Sequence, residues 1–286
     1  MNLILHAGKY FISRRNVFLA LSSIVILSAC QKESKPNPSP AFESTSREAQ
    51  SITSLASKID TGGLVAWYSF DSGSLRDISS YHNKVIFNNA QPTTDRNGSA
   101  NNAYYFDGAS SYMEIKNSPS LSPDKEITLF AIVRFDDFYE GKCHGNRILF
   151  KGYDDFSSGA YYLGSSDGYY TGQQNCSQPV DKAHQSFETK FATTGVGDTA
   201  SFVQTGHWYH LVYTFGKGTT KFYVDGKLVN SQSQRLFTAS NNDNLYIGVM
   251  NKYNTQYPYW FHGSVDQVAI FNRALNETQV SKLSAY

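Results

Sequence analysis

From Leu64 onward the chain consists of short β-favouring runs separated by clusters of Gly, Asn, Ser and Asp. Runs of this kind, rich in Tyr, Phe, Val and Ile, are typical of strands and are too short for helices. Twelve runs have this character: 64–70, 104–106, 112–115, 127–135, 147–151, 160–163, 187–191, 208–215, 221–224, 227–229, 245–247 and 265–271. Because helical periodicity is almost absent, the pattern predicts an all-β fold, a two-sheet antiparallel sandwich or jelly roll.

Two local signals add detail to this fold. Asp225-Gly226 separates two β-rich runs and readily supplies the two positive-φ residues of a type I′ hairpin turn. Near the end of the chain, Asn276 is placed to cap a short helix that runs through Ser281, with Gln279 three residues on. We therefore expect a β-hairpin and a short C-terminal helix.

The first thirty residues have the pattern of a targeting signal. Lys9, Arg14 and Arg15 precede the apolar run 17–27, which is too short to span a membrane, and small residues then lead to Cys30. Leu27-Ser28-Ala29-Cys30 resembles the lipobox of bacterial lipoproteins, in which the cysteine receives lipid. An ordinary secretory signal with an incidental Cys30, or a twin-arginine signal, are the alternatives.

Residues 31–60 contain the Pro-Asn-Pro-Ser-Pro run and a mixture of Ser, Thr and Glu that lacks the apolar area to fold alone. We expect a flexible tether there, with a short helix near 49–59, and one folded domain over 61–286. The residues after Cys30, Gln31-Lys32-Glu33, are similar to short export signals of surface lipoproteins. The expected location is therefore the outer membrane, on the cell surface, with the lipid anchor as the membrane contact.

Charge and cysteine content limit which partners and which cellular compartment are possible. Without residues 1–30, which carry three basic residues and no acid, the formal charge changes from +1 to −2. A near-neutral chain with no basic cluster argues against a nucleic-acid partner. Cys143 and Cys176 then remain as an even pair in an oxidising compartment, which predicts a disulfide. Two free thiols are the alternative, and a zinc site lacks the usual ligand spacing.

Six sequence blocks carry a family resemblance. They are Gly63–Asp71, Phe106-Asp107-Gly108 with Tyr112–Ile115, Trp208–Val212, Phe222–Gly226, Phe261–Asp266 and Ile270–Leu275. In this order they resemble the laminin-G-like jelly-roll domains of the concanavalin A-like lectin/glucanase superfamily. The resemblance implies two antiparallel sheets whose concave face or rim loops bind glycans or proteins in many members, although a shared fold does not establish function.

Structural calcium is expected from the same resemblance. Members of this fold often hold their terminal strands with one ion, and a hard cation needs several oxygen ligands. Asp71, Asp107, the Gly108 carbonyl and Asp266 resemble those positions. The alternative is that Asp107-Gly108 is only a turn, that Asp266 is a hydrogen-bonded buried acid and that Asp71 caps a loop.

A glycan site needs flat apolar faces for the sugar rings and fixed polar groups for their hydroxyls. Two aromatic-rich segments supply both, and their candidate ligand-binding residues are Arg147, Asp154, Asp155, Tyr161, Tyr169, Tyr257, Tyr259 and Trp260. Trp260 is the sharpest candidate, because Phe261 takes the core position and its neighbour should point to the opposite face. Packing of Trp260 under a loop is the alternative. Trp67 and Trp208 fall in family blocks and are expected in the sandwich core.

The sequence gives little sign of catalysis. Glycosidases of this superfamily resemble one another in a Glu-x-Asp-x-x-Glu-type strand, and no such spacing occurs here. The pairs Asp136-Asp137 and Asp154-Asp155 are adjacent, so on a strand their side chains would diverge to opposite faces. We expect a non-catalytic surface module that captures polysaccharide. A protein-binding or adhesion module is the main alternative, and a polysaccharide-degrading enzyme is a weaker one.

Overall fold

The β-rich runs form two antiparallel sheets in the computed structural model, which describes residues 53, 55, 57–154, 159–167, 179–191, 194–233 and 241–286. Sheet A contains β1 (Leu64–Tyr68), β3 (Gln91–Thr93), β4 (Ala103–Asp107), β6 (Ile127–Asp137), β11 (Trp208–Gly216), β12 (Thr219–Val224), β13 (Lys227–Ser233) and β15 (His262–Phe271). Sheet B contains β2 (Val85–Asn88), β5 (Met113–Ile115), β7 (Asn146–Lys151), β8 (Tyr161–Ser166), β9 (Ser186–Phe191), β10 (Thr194–Phe202) and β14 (Leu245–Ile247). Short 3₁₀ turns occupy Asp71–Gly73 and Pro119–Leu121, and helix α1 covers Glu277–Ser284.

Strand order within each sheet shows many crossovers, as expected for a jelly roll. Sheet A is ordered β13-β12-β11-β6-β15-β4-β3, and sheet B is ordered β10-β9-β8-β7-β14-β5-β2. The long strand β15 pairs with β4 through its first half and with β1 through its second half. The expected all-β, two-sheet sandwich with a short C-terminal helix is therefore confirmed.

The main core lies between the two sheets. Alternate residues of each strand point inward, so Phe106, Phe135 and Phe261 meet there with ring centroids 5.0–6.0 Å apart. Leu149 and Leu163 enter the same core from sheet B. Burial of these side chains is the main force that holds the sheets together.

A second apolar cluster covers the outer face of sheet A and corrects the expectation for two tryptophans. Trp67 is fully buried, yet it packs against Phe130 and beneath α1, whose Val280 and Leu283 belong to the same cluster, rather than between the sheets. Trp208 lies at the margin of this cluster, only partly buried. The family blocks therefore place both residues in the correct strands but on the wrong face of sheet A. Both faces of this sheet carry an apolar cluster, and alternation alone does not say which of the two a side chain joins.

Both local predictions agree with the structure. Asp225 and Gly226 have φ values of 50° and 76°, and the flanking residues Val224 and Lys227 pair as a tight hairpin requires. At the start of α1 the Asn276 side chain accepts from the Gln279 backbone N–H, while the Gln279 side chain accepts from the Asn276 N–H. This is a capping box, which satisfies two otherwise unpaired donors.

Packing begins inside the segment that the sequence predicts to be a tether. Thr53, Leu55, Ser57 and Lys58 have helical conformation, and Leu55 is buried in the outer cluster of sheet A. The Asp60 carboxylate lies 2.9 Å from Nη2 of Arg273. Within the described part of the chain, none of the helices has the length and apolar character needed to cross a membrane.

Candidate functional site

The outer face of sheet B carries one continuous row of outward-pointing side chains. Strand pairing places these residues side by side across the sheet: Phe87, Glu114, Tyr246, Phe150, Tyr162 and Lys190. Their neighbours along each strand, such as Met113, Ile115 and Leu149, point into the main core. The alternation of a strand therefore puts aromatic and charged groups together on this outer face.

Loops cover the middle of this row. Cys143 precedes β7, while Met250 and Tyr259 lie between β14 and β15, and all three pack over Phe150 and Tyr162. Tyr259 has φ 49°, a left-handed backbone conformation that is strained for a residue with a side chain. Gly145 makes room for its ring, because a Cβ at that position would lie 2.9 Å from Cγ of Tyr259. The centre of sheet B is thus closed to a ligand.

Arg147 and Tyr259 lie inside this covered centre, which corrects their prediction as ligand-binding residues. Arg147 is fully buried, forms an ion pair with Glu188, and has its guanidinium 4.0 Å from the ring centroid of Tyr162 and 4.8 Å from that of Tyr259. The Arg147 N–H also donates to the Tyr259 carbonyl at 2.9 Å. These contacts hold the loop in place, and they leave no surface for a sugar.

Tyr161 is also corrected, because it faces the opposite way. Its ring is buried between the sheets, and its hydroxyl donates to the Leu121 carbonyl at 2.8 Å. Burial raises the pKa of this phenol far above its usual range. Tyr162, one residue on, is the side chain of this strand that reaches the outer face.

The remaining candidates are divided between the described and undescribed residues. Asp154 is half-buried in the loop after β7, and Tyr257 is half-buried with its ring 6.2 Å from that of Tyr259. Asp155, Tyr169, Cys176 and Cys30 lie outside the described residues. The disulfide between Cys143, which is buried, and Cys176 therefore stays a prediction, as does the lipidation of Cys30.

An aromatic patch remains exposed where the covering loops end, at the β2 edge of sheet B. We define the aromatic patch as Phe87, Tyr112, Tyr253 and Trp260. Phe87 and Tyr112 stack with centroids 4.5 Å apart, and the Trp260 ring lies 6.1 Å from that of Tyr112. Phe87 is 40% exposed and Tyr253 is 68% exposed, while Trp260 is half-buried. Phe261 is buried in the main core, whereas the Trp260 ring packs beside Tyr112 at the outer side of sheet B. Trp260 precedes β15 and is not part of a strand, so its position comes from the loop and not from strand alternation.

Polar groups border the aromatic patch and are held rigidly. The buried Glu114 carboxylate accepts from Lys252 Nζ at 2.7 Å, from Asn244 Nδ2 at 2.6 Å and from the Tyr246 hydroxyl at 3.3 Å. Burial alone would raise the pKa of Glu114, but these donors outweigh it and hold the pKa below its usual range. Lys252 also lies over the Tyr253 ring, 5.0 Å from its centroid.

Sequence reasoning missed Phe87, Tyr112, Glu114 and Lys252 as site residues. A signal for two of them existed, because alternation in Tyr112-Met113-Glu114-Ile115 places Tyr112 and Glu114 on one face if Met113 and Ile115 fill the core. Phe87 lies in a strand that the sequence did not reveal. Lys252 is brought to Glu114 only by the fold, since 138 positions separate them.

The predicted calcium ligands do not fit one ion. Asp107 accepts from the backbone N–H groups of Ala109, Ser110 and Ser111, as a turn residue does. The Asp266 carboxylate pairs with Arg96 at 2.6 Å. Asp107 is opposite His262 in the β4–β15 pair, so Asp266 lies four residues further along β15, about 13 Å away.

The other two calcium candidates do not change this result. Asp71 accepts from the Ser69 hydroxyl at 2.7 Å, and Gly108 N–H donates to the Phe261 carbonyl at 3.2 Å. Among the described residues, no group of three or more His, Cys, Asp or Glu side chains could hold a metal ion. Calcium binding through this ligand set is therefore not supported by the geometry.

A family comparison identifies the fold. The family model described as "Concanavalin A-like lectin/glucanases superfamily" matches residues 106–281, more than half of the chain. The chain belongs to this superfamily. Five of the six sequence blocks lie within the matched residues, and the jelly-roll topology agrees with the family match. A search of curated proteins finds no match.

Solved structures of the superfamily fold are similar to this chain at low identity. The binding domain of Paraclostridial Mosquitocidal Protein 1 superposes with a TM-score of 0.55 at 14% identity, covering 78% of this chain and 52% of that one. Domain 4 of AbnA, a GH43 extracellular arabinanase from Geobacillus stearothermophilus in complex with arabinotriose, gives 0.53 at 18% identity, covering 77% and 98%.

A botulinum neurotoxin type C structure, described as dependent on two ganglioside molecules for cell entry, gives a TM-score of 0.56 at 12% identity, covering 81% of this chain and 52% of that one. The chain thus spans about half the length of the two toxin chains and nearly all of the arabinanase domain. At these identities the comparisons establish a shared fold.

Proposed function

We propose that this chain is a non-catalytic carbohydrate-binding module that captures polysaccharide through the aromatic patch. The observation that carries the proposal is the row of rings Phe87, Tyr112 and Trp260 at the uncovered edge of sheet B. Phe87 is 40% exposed, and the half-buried rings of Tyr112 and Trp260 extend its apolar surface. Partly exposed aromatic rings suit the C–H faces of sugar rings, and they also occur at protein interfaces. The similar arabinanase domain, solved with arabinotriose, makes a saccharide the first ligand to test.

The rigidity of the patch supports a binding role. Tyr112 is held between Phe87 on one side and Trp260 on the other, and Tyr246 packs 6.3 Å from its ring. In the Glu114–Lys252 pair, Glu114 also accepts from Asn244 and Tyr246, and Lys252 lies over the Tyr253 ring. A surface whose side chains are already fixed loses little conformational entropy when a ligand binds.

Binding to a polysaccharide panel tests the proposal. The full-length protein in detergent is run through native gels containing arabinan, dextran, heparin or polygalacturonic acid, and retardation by a polymer reports binding. Trp260→Ala should weaken the affinity for the bound polymer about two- to tenfold, because stacking on an aromatic ring contributes about 0.5–1.5 kcal/mol.

The matched control is Phe202→Ala. Phe202 is 48% exposed and lies on β10, at the opposite edge of sheet B. Its substitution should leave the affinity unchanged. Equal affinities of Trp260→Ala and the unmodified protein for every bound polymer would contradict the proposal. Co-purification of a protein that excess polysaccharide does not displace would favour the adhesion alternative, and turnover of any polymer would favour the enzyme alternative.

We further propose that the module is attached to the outer membrane through lipid on Cys30 and is displayed at the cell surface. Metabolic labelling with a fatty-acid analogue should label the protein, and Cys30→Ala should abolish the label. Protease added to intact cells should degrade a surface-displayed protein and spare a periplasmic one.

The predicted disulfide has its own test. A peptide map made without reductant that joins Cys143 to Cys176 would establish it.

A further inference from the structure

The outer face of sheet A extends beyond the apolar cluster that α1 covers. Strand pairing places five outward-pointing side chains side by side on this further part of the face: Trp208, Arg134, Ser264, Tyr105 and Gln91. Their strand neighbours Tyr209, Val133 and Val265 point into the main core. Only Trp208 touches the apolar cluster, at its margin. The row is therefore a mixed polar and aromatic surface on the opposite side of the sandwich from the aromatic patch.

Arg134 is held in one position within this row. Its Nε donates to Asp136 Oδ1 at 2.9 Å and its Nη2 donates to Oδ2 at 3.3 Å, so the two planar groups meet through two parallel hydrogen bonds. The guanidinium also lies over the Trp208 ring, 5.4 Å from its centroid. The side chains of Arg134 and Asp136 remain 34% and 28% exposed. The pair therefore presents fixed donors and acceptors to solvent beside an aromatic ring.

Tyr105 and His262 form a second fixed pair on the other side of the row. The Tyr105 hydroxyl lies 3.0 Å from His262 Nε2, and the two rings meet edge to face with centroids 6.0 Å apart. Burial raises the pKa of the Tyr105 phenol, and the nearby charges of Asp136 and Asp107 raise it further. The hydroxyl therefore stays protonated at neutral pH. The effect of Asp136 on this phenol also shows that the two pairs are neighbours.

Ser264 lies between the two pairs. Arg134 on β6 and Tyr105 on β4 are its partners on either side, so these two residues are about 10 Å apart, the width of two strand spacings. Ser264 is completely buried, and within the described residues its hydroxyl has no hydrogen-bond partner. A buried hydroxyl without a partner destabilises a fold, and most such groups are satisfied. A ligand hydroxyl that enters between Arg134 and Tyr105 would satisfy this one.

The charges around the row favour a neutral ligand. The positive charge of Arg134 is matched by Asp136, and Asp107 adds a carboxylate at the end of β4. Asp137, at the end of β6, pairs with the exposed Lys182. Positive charge is therefore not in excess among these acidic and basic side chains, so they do not attract an acidic polymer.

We infer that this surface is a second saccharide site, whose ligand is a neutral sugar with adjacent hydroxyl groups. We call it the Arg134 site, formed by Tyr105, Arg134, Asp136, Trp208, His262 and Ser264. The Arg134 guanidinium donates and the Asp136 carboxylate accepts, so two neighbouring sugar hydroxyls can bond to both. Trp208 supplies an apolar surface for the sugar C–H groups. The site goes beyond the proposed function, because it lies on the other outer face and gives one module two separate saccharide contacts.

The indole N–H signals of the three tryptophans test the inference directly. Trp208 reports on the Arg134 site, Trp260 on the aromatic patch and Trp67 on the core beneath α1. The ¹⁵N-labelled full-length protein in detergent is titrated with the neutral sugars isomaltotriose, cellotriose and arabinotriose, and with trigalacturonic acid. At least one neutral trisaccharide should shift the Trp208 signal in a saturable way. Trigalacturonic acid should leave that signal in place, and no sugar should move the signal of the buried Trp67.

Three variants separate ligand binding from folding. Tyr105→Phe removes only a hydroxyl and should weaken binding of the active trisaccharide about two- to twelvefold, the range for one lost hydrogen bond. Arg134→Met keeps the methylene groups over Trp208 but removes the guanidinium, and it should weaken binding at least as much. Ser264→Ala should weaken binding like Tyr105→Phe without lowering the melting temperature, since the hydroxyl has no partner in the free protein. Ser231→Ala, at an exposed position of β13, is the matched control and should change neither quantity.

A Trp208 signal that no neutral trisaccharide shifts would overturn the inference and leave the aromatic patch to be decided by Trp260. An equal shift with trigalacturonic acid would overturn it as well, because the ligand class would be wrong. So would an affinity that is unchanged in both Tyr105→Phe and Arg134→Met. A Trp208 shift that persists in Trp260→Ala supports an independent site, whereas its loss in that variant would leave the aromatic patch as the one saccharide contact. If Trp208 responds and Trp260 does not, the Arg134 site stands and the aromatic patch fails.

Discussion

The outer faces of the two sheets follow the same alternation but are covered to different extents. On sheet A, α1 and the segment around Leu55 bury Trp67, Phe130 and their neighbours as a second apolar core. On sheet B, loops cover Phe150 and Tyr162 in the centre but leave Phe87, Tyr112 and Trp260 at the edge. An outward-facing aromatic residue therefore has a structural or a binding role according to what packs over it, and not according to its strand position.

Substitution of Trp67 is the strongest way to test this contrast. Trp67 is completely buried, and its ring lies 5.8 Å from that of Phe130 and 5.5 Å from that of Tyr286. Trp67→Ala should lower the free energy of unfolding by about 3–5 kcal/mol, the cost of a large cavity in a packed core. Urea denaturation of this variant and of Trp260→Ala provides the comparison. The contrast would be wrong if Trp260→Ala lowered the free energy of unfolding as much as Trp67→Ala does.

Removal of Lys252 should have the next largest effect, because it leaves the buried Glu114 carboxylate without its cation. Lys252→Met should cost about 1–3 kcal/mol near pH 7. In the native protein the pKa of Glu114 is lowered, so its ionised form contributes stability above the unfolded-state pKa of about 4.3, and this contribution is lost as the pH falls through the folded-state pKa. In the variant only Asn244 and Tyr246 still offset the burial of Glu114, so its pKa should rise.

The difference in stability between the two proteins should therefore shrink as the pH falls from 7 to about 4, because Glu114 becomes protonated at a higher pH in the variant than in the native protein. Lys227→Met, which alters an exposed lysine of β13, is the control and should be neutral at every pH. A cost of Lys252→Met that is constant between pH 7 and pH 4 would show that the charge pairing with Glu114 does not account for the stabilising effect of Lys252.

The cap of α1 should have a smaller effect. Asn276→Ala removes the side chain that accepts from the Gln279 N–H, and it should cost about 1 kcal/mol by thermal or chemical unfolding. Asn276→Ser, which retains an oxygen acceptor, should restore most of this stability. Because α1 covers Trp67 and not the aromatic patch, polysaccharide affinity should be the same in both variants. A reduced affinity would mean that the two outer faces are coupled.

Calcium removal should have the smallest effect of all. Asp266 pairs with Arg96, and Asp107 accepts from the backbone N–H groups of its own turn. Neither carboxylate therefore needs a calcium ion as its partner. We expect the melting temperature to be the same in EDTA and in millimolar calcium chloride. An increase with calcium would reveal an ion site built from residues other than the predicted set.

The strands that the sequence did not predict explain why the site was partly missed. Each of the twelve predicted runs overlaps a strand, but β2, β3 and β10 were not predicted, and these three lie at sheet edges. An edge strand is hydrogen-bonded on one side and often lacks a strong apolar pattern, as Gln91-Pro92-Thr93 of β3 illustrates. Phe87 lies in β2, so the outer boundary of the aromatic patch could not be found from the pattern of apolar residues.

The candidates Arg147, Tyr161 and Tyr259 failed for a different reason. Their aromatic and charged chemistry suits a sugar, yet Arg147 is buried beneath a loop, Tyr259 is a buried residue of that loop, and Tyr161 faces the core. Loop positions depend on contacts between residues far apart in the chain, such as the Arg147 N–H to the Tyr259 carbonyl. Such contacts have no local sequence signal.

The sequence by itself determined the elements that depend on neighbouring residues: the buried strands through their alternation, the Asp225-Gly226 turn through its backbone preference, and the Asn276 cap through its side-chain oxygen. Only the tertiary structure decided which aromatic residues stay accessible. The same outward direction buries Trp67 under α1 and leaves Trp260 at an open edge, because exposure depends on what the rest of the chain lays over each face.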